Sequence, residues 1–193
     1  WLEVLVSLPL ALLVVFVVLR AVVGLPPTLA GVAGKRPADL VRGPRFVLVS
    51  MPINHYGEKL RWCMDLLGVD YEERDVAGLL SAYLRGRSVP WLVDRHSASL
   101  IGSSDECLSY LGAVHVPTLD EARRAPAQAL LARTPATISW ERDLSDLGHA
   151  IQGWAYRYLL GFGAPWAPPL HFWGAKEPRV PLGQRIVLHL LFP

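Results

Sequence analysis

The chain has 193 residues, of which 52% are hydrophobic, and its 19 basic and 17 acidic side chains leave a formal net charge of +2. So apolar a composition is unusual for an ordinary soluble domain. The small and scattered positive charge disfavours nucleic acid as a partner. Two cysteines are too few for a disulfide framework, and no His/Cys spacing resembles a zinc site, so we expect no metal and a reducing compartment.

The N-terminus is a long apolar run. No charged residue lies between Val4 and Leu19, and Ala21–Leu25 extends the run past Arg20. About 20 apolar residues cross a bilayer, so the sequence predicts a transmembrane helix over residues 1–25 that contacts the lipid bilayer. A buried core helix or an uncleaved signal is the alternative, although the basic n-region of a signal peptide is missing.

Residues 26–44 are rich in Gly and Pro, which predicts a juxtamembrane linker. Basic side chains accumulate around this linker, whereas Asp39 is the only acid among them. The basic residues are Arg20, Lys35, Arg36, Arg42 and Arg45. By the positive-inside rule, we expect a single-pass protein with the bulk of the chain on the cytosolic, matrix or stromal side.

Residues 45–111 alternate between strand and helix patterns. Leu60, Met64 and Leu67 recur at helical spacing, and Gly68 is placed to end that helix. The predicted elements are a strand at Arg45–Ser50, this helix, strands at Val69–Val76, Ser88–Val93 and Ala98–Ile101, and a helix at Ser103–Leu111. The β-α-β then β-β-α order predicts a parallel first pair in a small mixed sheet, with a loosely helical or irregular connector at residues 77–87.

Beyond Gly112 the strand signals fade. We expect helices at Leu119–Ala132 and Leu144–Leu160, an irregular Gly161–Pro181, and a final helix after Leu182. The second helix carries Ile151, Trp154, Ala155 and Tyr158 at helical spacing.

Three separated segments resemble the thioredoxin-like N-terminal domain of the glutathione transferase superfamily. They are INHYGEKLRWCMDLLGVDYEE (Ile53–Glu73), SVPWLV (Ser88–Val93) and SSDECLSYL (Ser103–Leu111). LGHAIQGWAYRYLL (Leu147–Leu160) is similar to a helix of the all-α C-terminal domain of certain transferases. The resemblance implies an α/β thioredoxin-like domain at 45–111 followed by a partial α-helical domain at 112–193, with the transmembrane helix in front.

The resemblance also implies a glutathione site. Val89-Pro90 corresponds to the family's cis proline, which leaves the preceding backbone free to pair with the tripeptide. Ser103 and Ser104 correspond to the helix N-terminus that takes the γ-glutamyl carboxylate. From the residues alone, Pro90 equally fits a trans proline at a strand start, and the serines fit an ordinary N-cap. The family usually has Glu or Gln at Ser103, so recognition of the ligand's amino group would be weakened.

Asn54 lies where the related enzymes carry the Ser or Cys that acts on sulfur. Its amide can donate a hydrogen bond to a thiolate but cannot act as a nucleophile. Asn54 is thus the candidate catalytic residue if any activity remains, and otherwise a helix N-cap. Gly57 replaces the second cysteine of many relatives, which excludes disulfide-reductase chemistry. We expect Cys63 and Cys107 to be small core residues.

Other polar and aromatic side chains receive structural interpretations. Lys59 and Arg61 are expected to form a solvated or ion-paired face of their helix. His55 and His149 are lone histidines without an assigned role. Trp154, Tyr156 and Tyr158 could line a substrate pocket, but their spacing favours interhelical packing.

Two functions follow from the resemblance. The departures at Asn54, Gly57 and Ser103, with the membrane anchor, favour a catalytically eroded accessory subunit that binds other subunits of an organellar, respiratory-type membrane complex. The mitochondrial inner membrane is then the expected location, since such subunits often face the matrix. The retained Val89, Pro90 and Ser104 support the alternative, an active membrane-tethered glutathione transferase that conjugates glutathione to small electrophiles.

Overall fold

The computed structural model describes residues 13–15, 17, 42–78, 80–81, 88–159, 171 and 173–191. Its first part is a mixed α/β unit, which confirms the predicted α/β class. The elements of this unit are β1 Phe46–Ser50, α1 His55–Leu67, β2 Tyr71–Asp75, β3 Trp91–Asp94, β4 Ser99–Gly102 and α2 Ser104–Val114. The helical part that follows contains a 3₁₀ turn at Val116–Thr118, α3 Glu121–Leu130, α4 Pro135–Leu159 and α5 Leu182–Leu191.

The four strands form one sheet in the order β2-β1-β3-β4. β1 pairs in parallel with β2, which confirms the predicted first pair, and antiparallel with β3. β3 and β4 are an antiparallel pair. Leu48 in the middle of β1 lies opposite Glu73 on one side and Leu92 on the other. β1 is therefore a central strand.

Both faces of β1 are buried. Phe46 and Leu48 pack with Leu60 of α1 and Leu111 of α2 on one face of the sheet. Val47 and Val49 belong to a second cluster that also includes Trp91. A strand buried on both faces carries a continuous apolar run instead of an alternating pattern, as β1 does.

The ends of α1 are set by local chemistry. Asn54 is the N-cap, and its Oδ1 accepts a hydrogen bond of 3.0 Å from the Tyr56 backbone N–H. Gly68 adopts a left-handed conformation, with φ 64°, and closes the helix as predicted.

α4 begins earlier than the sequence pattern predicts. It starts at Pro135 instead of Leu144. Thr134 and Thr137 cap it reciprocally, since each backbone N–H donates to the hydroxyl of the other residue, at 2.8 and 3.1 Å. Pro135 fits the first helical position because no donor is needed there.

Among the residues that the structure describes, the expected interhelical packing of Trp154, Tyr156 and Tyr158 is wrong. Trp154 and Tyr158 are exposed, as are Tyr156 and Ile151. The rings of Trp154 and Tyr158 stack on each other with their centroids 6.1 Å apart.

The C-terminal helix is attached to the sheet region through its own core. Val187 and Leu188 of α5 pack with Trp173, Val180 and Ala77 in a separate buried cluster. Gln184 is fully buried, and its Oε1 accepts a hydrogen bond of 2.8 Å from the Ala77 backbone N–H.

Several expectations lie wholly or mostly outside the described residues. Only 13–15 and 17 of the predicted transmembrane helix at 1–25 are described, and they are helical. Of the linker at 26–44 only 42–44 are described, and most of the connector at 77–87 and of the irregular segment at 161–181 is also outside. None of the helices formed by the described residues combines the length and apolar character that a membrane crossing needs.

Candidate ligand-binding cleft

A cleft of about 650 Å³ lies where the start of β3, the N-terminus of α2 and the side of α4 meet. Val89, Pro90, Ser103 and Ser104 all line it. The structure thus brings together the four residues that the sequence assigns to ligand binding. The peptide bond between Val89 and Pro90 is cis.

Ser103 forms the corner between β4 and α2. Its backbone has φ 58° and ψ 153°, a conformation that residues other than glycine rarely adopt. Its Oγ donates to Asp105 Oδ1 at 2.7 Å and weakly accepts from the Glu106 N–H at 3.4 Å. This corner leaves Ser103 exposed and turns Ser104 into the buried first position of α2.

The N-terminus of α2 already holds a carboxylate of this chain. The pKa of Asp105 is lowered first by the hydrogen bond from the Ser103 hydroxyl, and then by the backbone N–H groups of Asp105 and Glu106. The carboxylate therefore lies where the N–H groups and the dipole of a helix N-terminus would favour an external anion. A ligand carboxylate would therefore have to compete with Asp105, a residue that the sequence analysis did not single out.

Charges of both signs surround the cleft. Asp105, Glu106 and Glu141 supply carboxylates, and Arg133 and Arg142 supply guanidinium groups. Glu141 is ion-paired with Lys59 across the gap between α1 and α4. Arg133 donates to the Ser109 hydroxyl at 2.8 Å. The cleft is mixed in charge, unlike the positive site that a dianionic tripeptide favours.

Lys59 and Arg61 act as the predicted ion-paired face of α1. Arg61 pairs with Glu58 on the same helix and with Glu73 on β2, and Lys59 pairs with Glu141 as described above. These side chains therefore connect elements of the fold.

Asn54 is not among the residues that line the cleft. It is buried, and its side-chain oxygen caps α1, so the structure assigns it the helix-capping alternative. Its interaction with a thiolate stays a prediction without a geometric basis.

Tyr56 is a cleft residue that the sequence analysis missed. Its hydroxyl is buried and has no hydrogen-bond partner in the described part of the chain. The rings of His55 and His149 lie 4.0 and 6.3 Å from the Tyr56 ring, and Gly148 of α4 packs against its hydroxyl. A single aromatic residue after an N-cap carries no periodic signal, so only the structure shows this cluster.

Gly57 packs directly against β1. A Cβ at this position would clash with Ser50 Oγ and lie 3.3 Å from Ser50 Cβ. Any side chain here, a cysteine included, would have to displace Ser50. The absence of a second thiol at Gly57 is thus also a requirement of packing.

Cys63 and Cys107 are buried, as expected for small core residues. Burial raises the pKa of the Cys63 thiol, and it raises that of Cys107 to about 12. Because the thiolate is the reactive form, neither cysteine provides a nucleophile near neutral pH. Among the described residues, no group of His, Cys, Asp and Glu is arranged to hold a metal ion.

Fold and cleft define a mixed α/β protein with a helical C-terminal part. No family model matches the chain, and neither curated proteins nor solved structures show a match to it.

Proposed function

We propose that this chain is a glutathione-transferase-like protein whose catalytic site has been lost and which serves as an accessory subunit of an organellar, respiratory-type membrane complex. The observation that carries the proposal is the Asp105 carboxylate, which accepts a hydrogen bond of 2.7 Å from the Ser103 hydroxyl at the N-terminus of α2. In a working site of this kind, that position would receive the carboxylate of glutathione.

The fold supports the thioredoxin-like part of the proposal. The sheet order β2-β1-β3-β4, with one parallel and two antiparallel pairs, is compatible with a thioredoxin-like fold. The cis Val89-Pro90 bond directly before β3 agrees with the family position assigned from the sequence.

The chemistry of the cleft supports the loss of catalysis. Asn54 is used as a helix cap, and both cysteines are buried thiols. A missing charged contact costs about 1.5–3 kcal/mol, or roughly ten- to a hundredfold in affinity. This chain has Ser103 where the family usually has Glu or Gln, and Asp105 competes for the remaining donors. Both changes lower the affinity for glutathione, so little binding is left.

Calorimetric titration with glutathione tests the site. We expect no saturable binding by the wild-type chain, and measurable binding by Asp105→Ala, because that change frees the backbone donors of α2. Glu106→Ala is the matched control, since it removes the same charge from the cleft but leaves the donors occupied. Tight binding by the wild type that Ser104→Ala weakens would contradict the proposal.

The membrane part of the proposal is based on residues 1–25. After alkaline carbonate washing of native membranes, we expect the chain in the pellet. On native gels after mild solubilisation, it should migrate with a larger complex. Release into the supernatant would contradict the membrane anchor. Migration at the size of the chain alone would contradict membership of a complex.

A second function is an active membrane-tethered transferase, and the unpaired Tyr56 hydroxyl favours it. Tyr56 lines the cleft, and its hydroxyl, which is buried against Gly148, would have to become accessible to donate a hydrogen bond to a bound thiolate. In this case the chain would conjugate glutathione to a chloronitrobenzene. Tyr56→Phe would then reduce kcat/KM about a hundredfold, the usual effect of removing one transition-state donor, and Asn54→Ala would leave it unchanged.

A further inference from the structure

A second cavity, of about 610 Å³, lies between α1, α2 and the first turns of α4. Its wall includes Trp62 and Cys63 of α1, Leu108 of α2, and Trp140 and Leu144 of α4. We call this space the α1–α4 cavity. It adjoins the cleft along α4, but none of the four residues assigned to glutathione lines it.

The floor and the rim of the α1–α4 cavity differ in exposure. Cys63 is 6% exposed, and Leu108 and Leu131 are half-buried and pack against the core cluster that β1 shares with α1. At the rim, the rings of Trp62 and Trp140 are 64% and 68% exposed. A ligand in this cavity would therefore cover apolar surface that the described residues leave in contact with water.

The charges on the wall cancel. The wall has two cations and two carboxylates, which are Lys59, Arg133, Asp105 and Glu141. Lys59 and Glu141 form an ion pair. Arg133 and Asp105 each hydrogen-bond to a serine hydroxyl, at 2.8 and 2.7 Å, and Arg133 is exposed, so water also hydrates its charge. An ionic ligand would lose hydration here without gaining a counter-charge that is still unmatched.

The size of the α1–α4 cavity favours a small molecule over a partner helix. Small-molecule sites have volumes of roughly 300–1,000 Å³, and this cavity lies within that range. Two turns of an α-helix with their side chains occupy on the order of 850 Å³. The cavity is too small to enclose such a segment.

We propose that the α1–α4 cavity binds an uncharged, apolar ring compound, with Trp62 and Trp140 in contact with the ring. Aromatic rings stack on one another in offset or edge-to-face arrangements, and the two tryptophans at the rim supply such contacts. This binding function goes beyond the accessory role proposed above, because it requires neither a thiolate nor glutathione.

Calorimetric titration of the full chain in a nonionic detergent tests the class of ligand. 1-Naphthalenemethanol is the uncharged probe, and 1-naphthoate has the same rings with a carboxylate. We expect the alcohol to bind saturably and about tenfold or more tighter than the carboxylate, because the wall carries no net positive charge. Micelles without protein give the baseline for each probe, since both probes partition into detergent.

Two exposed tryptophans of α4 provide a matched pair of variants. Trp140 lines the cavity, whereas Trp154 is 71% exposed and does not line it. Trp140→Ala should raise the Kd of 1-naphthalenemethanol about tenfold, and Trp154→Ala should leave it unchanged. Ala132→Trp should also raise the Kd, because a larger side chain at the rim fills the cavity. Ala136→Trp, at an exposed position outside the cavity, is its control.

A variant in the cleft separates this site from the glutathione site. Ser104 lines the cleft and not the α1–α4 cavity. Ser104→Ala, or added glutathione, should therefore leave the Kd of 1-naphthalenemethanol unchanged. A change with either would make the cavity the substrate part of a transferase site and overturn the proposal. Binding of glutathione by the wild type contradicts only the loss of catalysis, so the two proposals fail by different results.

Three further results would overturn the proposal. One is a wild-type titration with 1-naphthalenemethanol that does not exceed the micelle baseline. Another is equal affinity for the alcohol and the carboxylate, which would contradict an uncharged ligand. The third is an equal effect of Trp140→Ala and Trp154→Ala, which would place the bound ring outside the cavity.

Discussion

Several hydrogen bonds hold the Asp94 carboxylate at one end of the sheet. It is fully buried at the end of β3 and accepts hydrogen bonds from Arg45 Nη2 at 2.7 Å, Tyr110 Oη at 2.9 Å and the His96 N–H at 2.8 Å. Burial opposes its ionisation, but the donors outweigh burial and hold its pKa below the usual range. The ionised form therefore stabilises the fold above the unfolded-state pKa, and this contribution is lost as the pH falls through the lower folded-state value.

Asp94→Asn should lower the free energy of unfolding at pH 7 by about 2–4 kcal/mol, because it leaves the half-buried guanidinium of Arg45 without a counter-charge. It should also make the free energy of unfolding depend less on pH in the acidic range. Chemical denaturation measured between neutral and acidic pH checks both effects. A variant as stable as the wild type, with the same acid dependence, would contradict this role.

Asp75 is the control for this change. It is also buried, but burial raises its pKa, and only one of its oxygens is paired, with Arg179 at 2.9 Å. A raised carboxyl pKa contributes stability below the unfolded-state value and loses it as the pH rises through the folded-state value. Asp75→Asn should therefore not lower the free energy of unfolding at pH 7, because the neutral amide avoids the cost of the buried ionised carboxylate.

At the scale of elements, the junction of β1 and α1 depends on Gly57. The helix crosses so close to the strand that Ser50 Oγ occupies the space of a side chain at position 57. The contact fixes how α1 lies on the sheet, and with it the position of Tyr56 in the cleft.

Gly57→Ala should lower the free energy of unfolding by about 1–3 kcal/mol, since an extra methyl group overpacks the junction. Adding Ser50→Ala should recover most of this loss, because it removes the oxygen that the methyl group meets. Thermal or chemical unfolding of the two single variants and the double variant gives the coupling energy. Purely additive effects would show that the two residues do not compete for space.

Elements whose ends carry local signals could be predicted from the sequence. The end of α1 at Gly68 depends on one residue in a left-handed conformation, and the strand β1 on a short apolar run. The beginning of α4 could not be predicted, because apolar periodicity is weak before Leu144 and the reciprocal threonine cap lies upstream of it. The periodicity within α4 also led to the wrong expectation that Trp154 and Tyr158 pack between helices. A pattern of apolar residues does not show what those residues contact.

The candidate site was predictable only in part. Ser103, Ser104, Val89 and Pro90 reach one cleft because the order of strands and helices brings them together. The position of the Asp105 carboxylate at the N-terminus of α2 depends on side-chain rotamers and on the unusual backbone of Ser103. Neither has a sequence signal.

At the scale of the whole molecule, the C-terminal helix belongs to the fold of the described residues. α5 packs on the segment after β2 through its own apolar cluster, and Gln184 satisfies a backbone donor of that segment. The C-terminal helix is thereby coupled to the segment that follows β2, and loss of α5 should weaken the sheet region.

Leu188→Ala should lower the free energy of unfolding by about 2–5 kcal/mol, because it opens a cavity in this cluster. Leu190→Ala is the matched control on the same helix, since Leu190 is 74% exposed and Leu188 is fully buried. Denaturant unfolding followed by tryptophan fluorescence compares the two. Equal, small effects of both changes would show that α5 is not part of the folded core.

The two buried thiols allow local opening of the fold to be measured from their rate of alkylation. An alkylating reagent reacts with thiolates, and both sulfur atoms stay protonated and out of solvent while the chain is folded. Labelling must therefore wait for an opening event, so its speed records how often Cys63 and Cys107 come into contact with water. Mass spectrometry of alkylated peptides would follow the exposure of Cys63 in α1 and of Cys107 in α2 separately, without a reporter group being added.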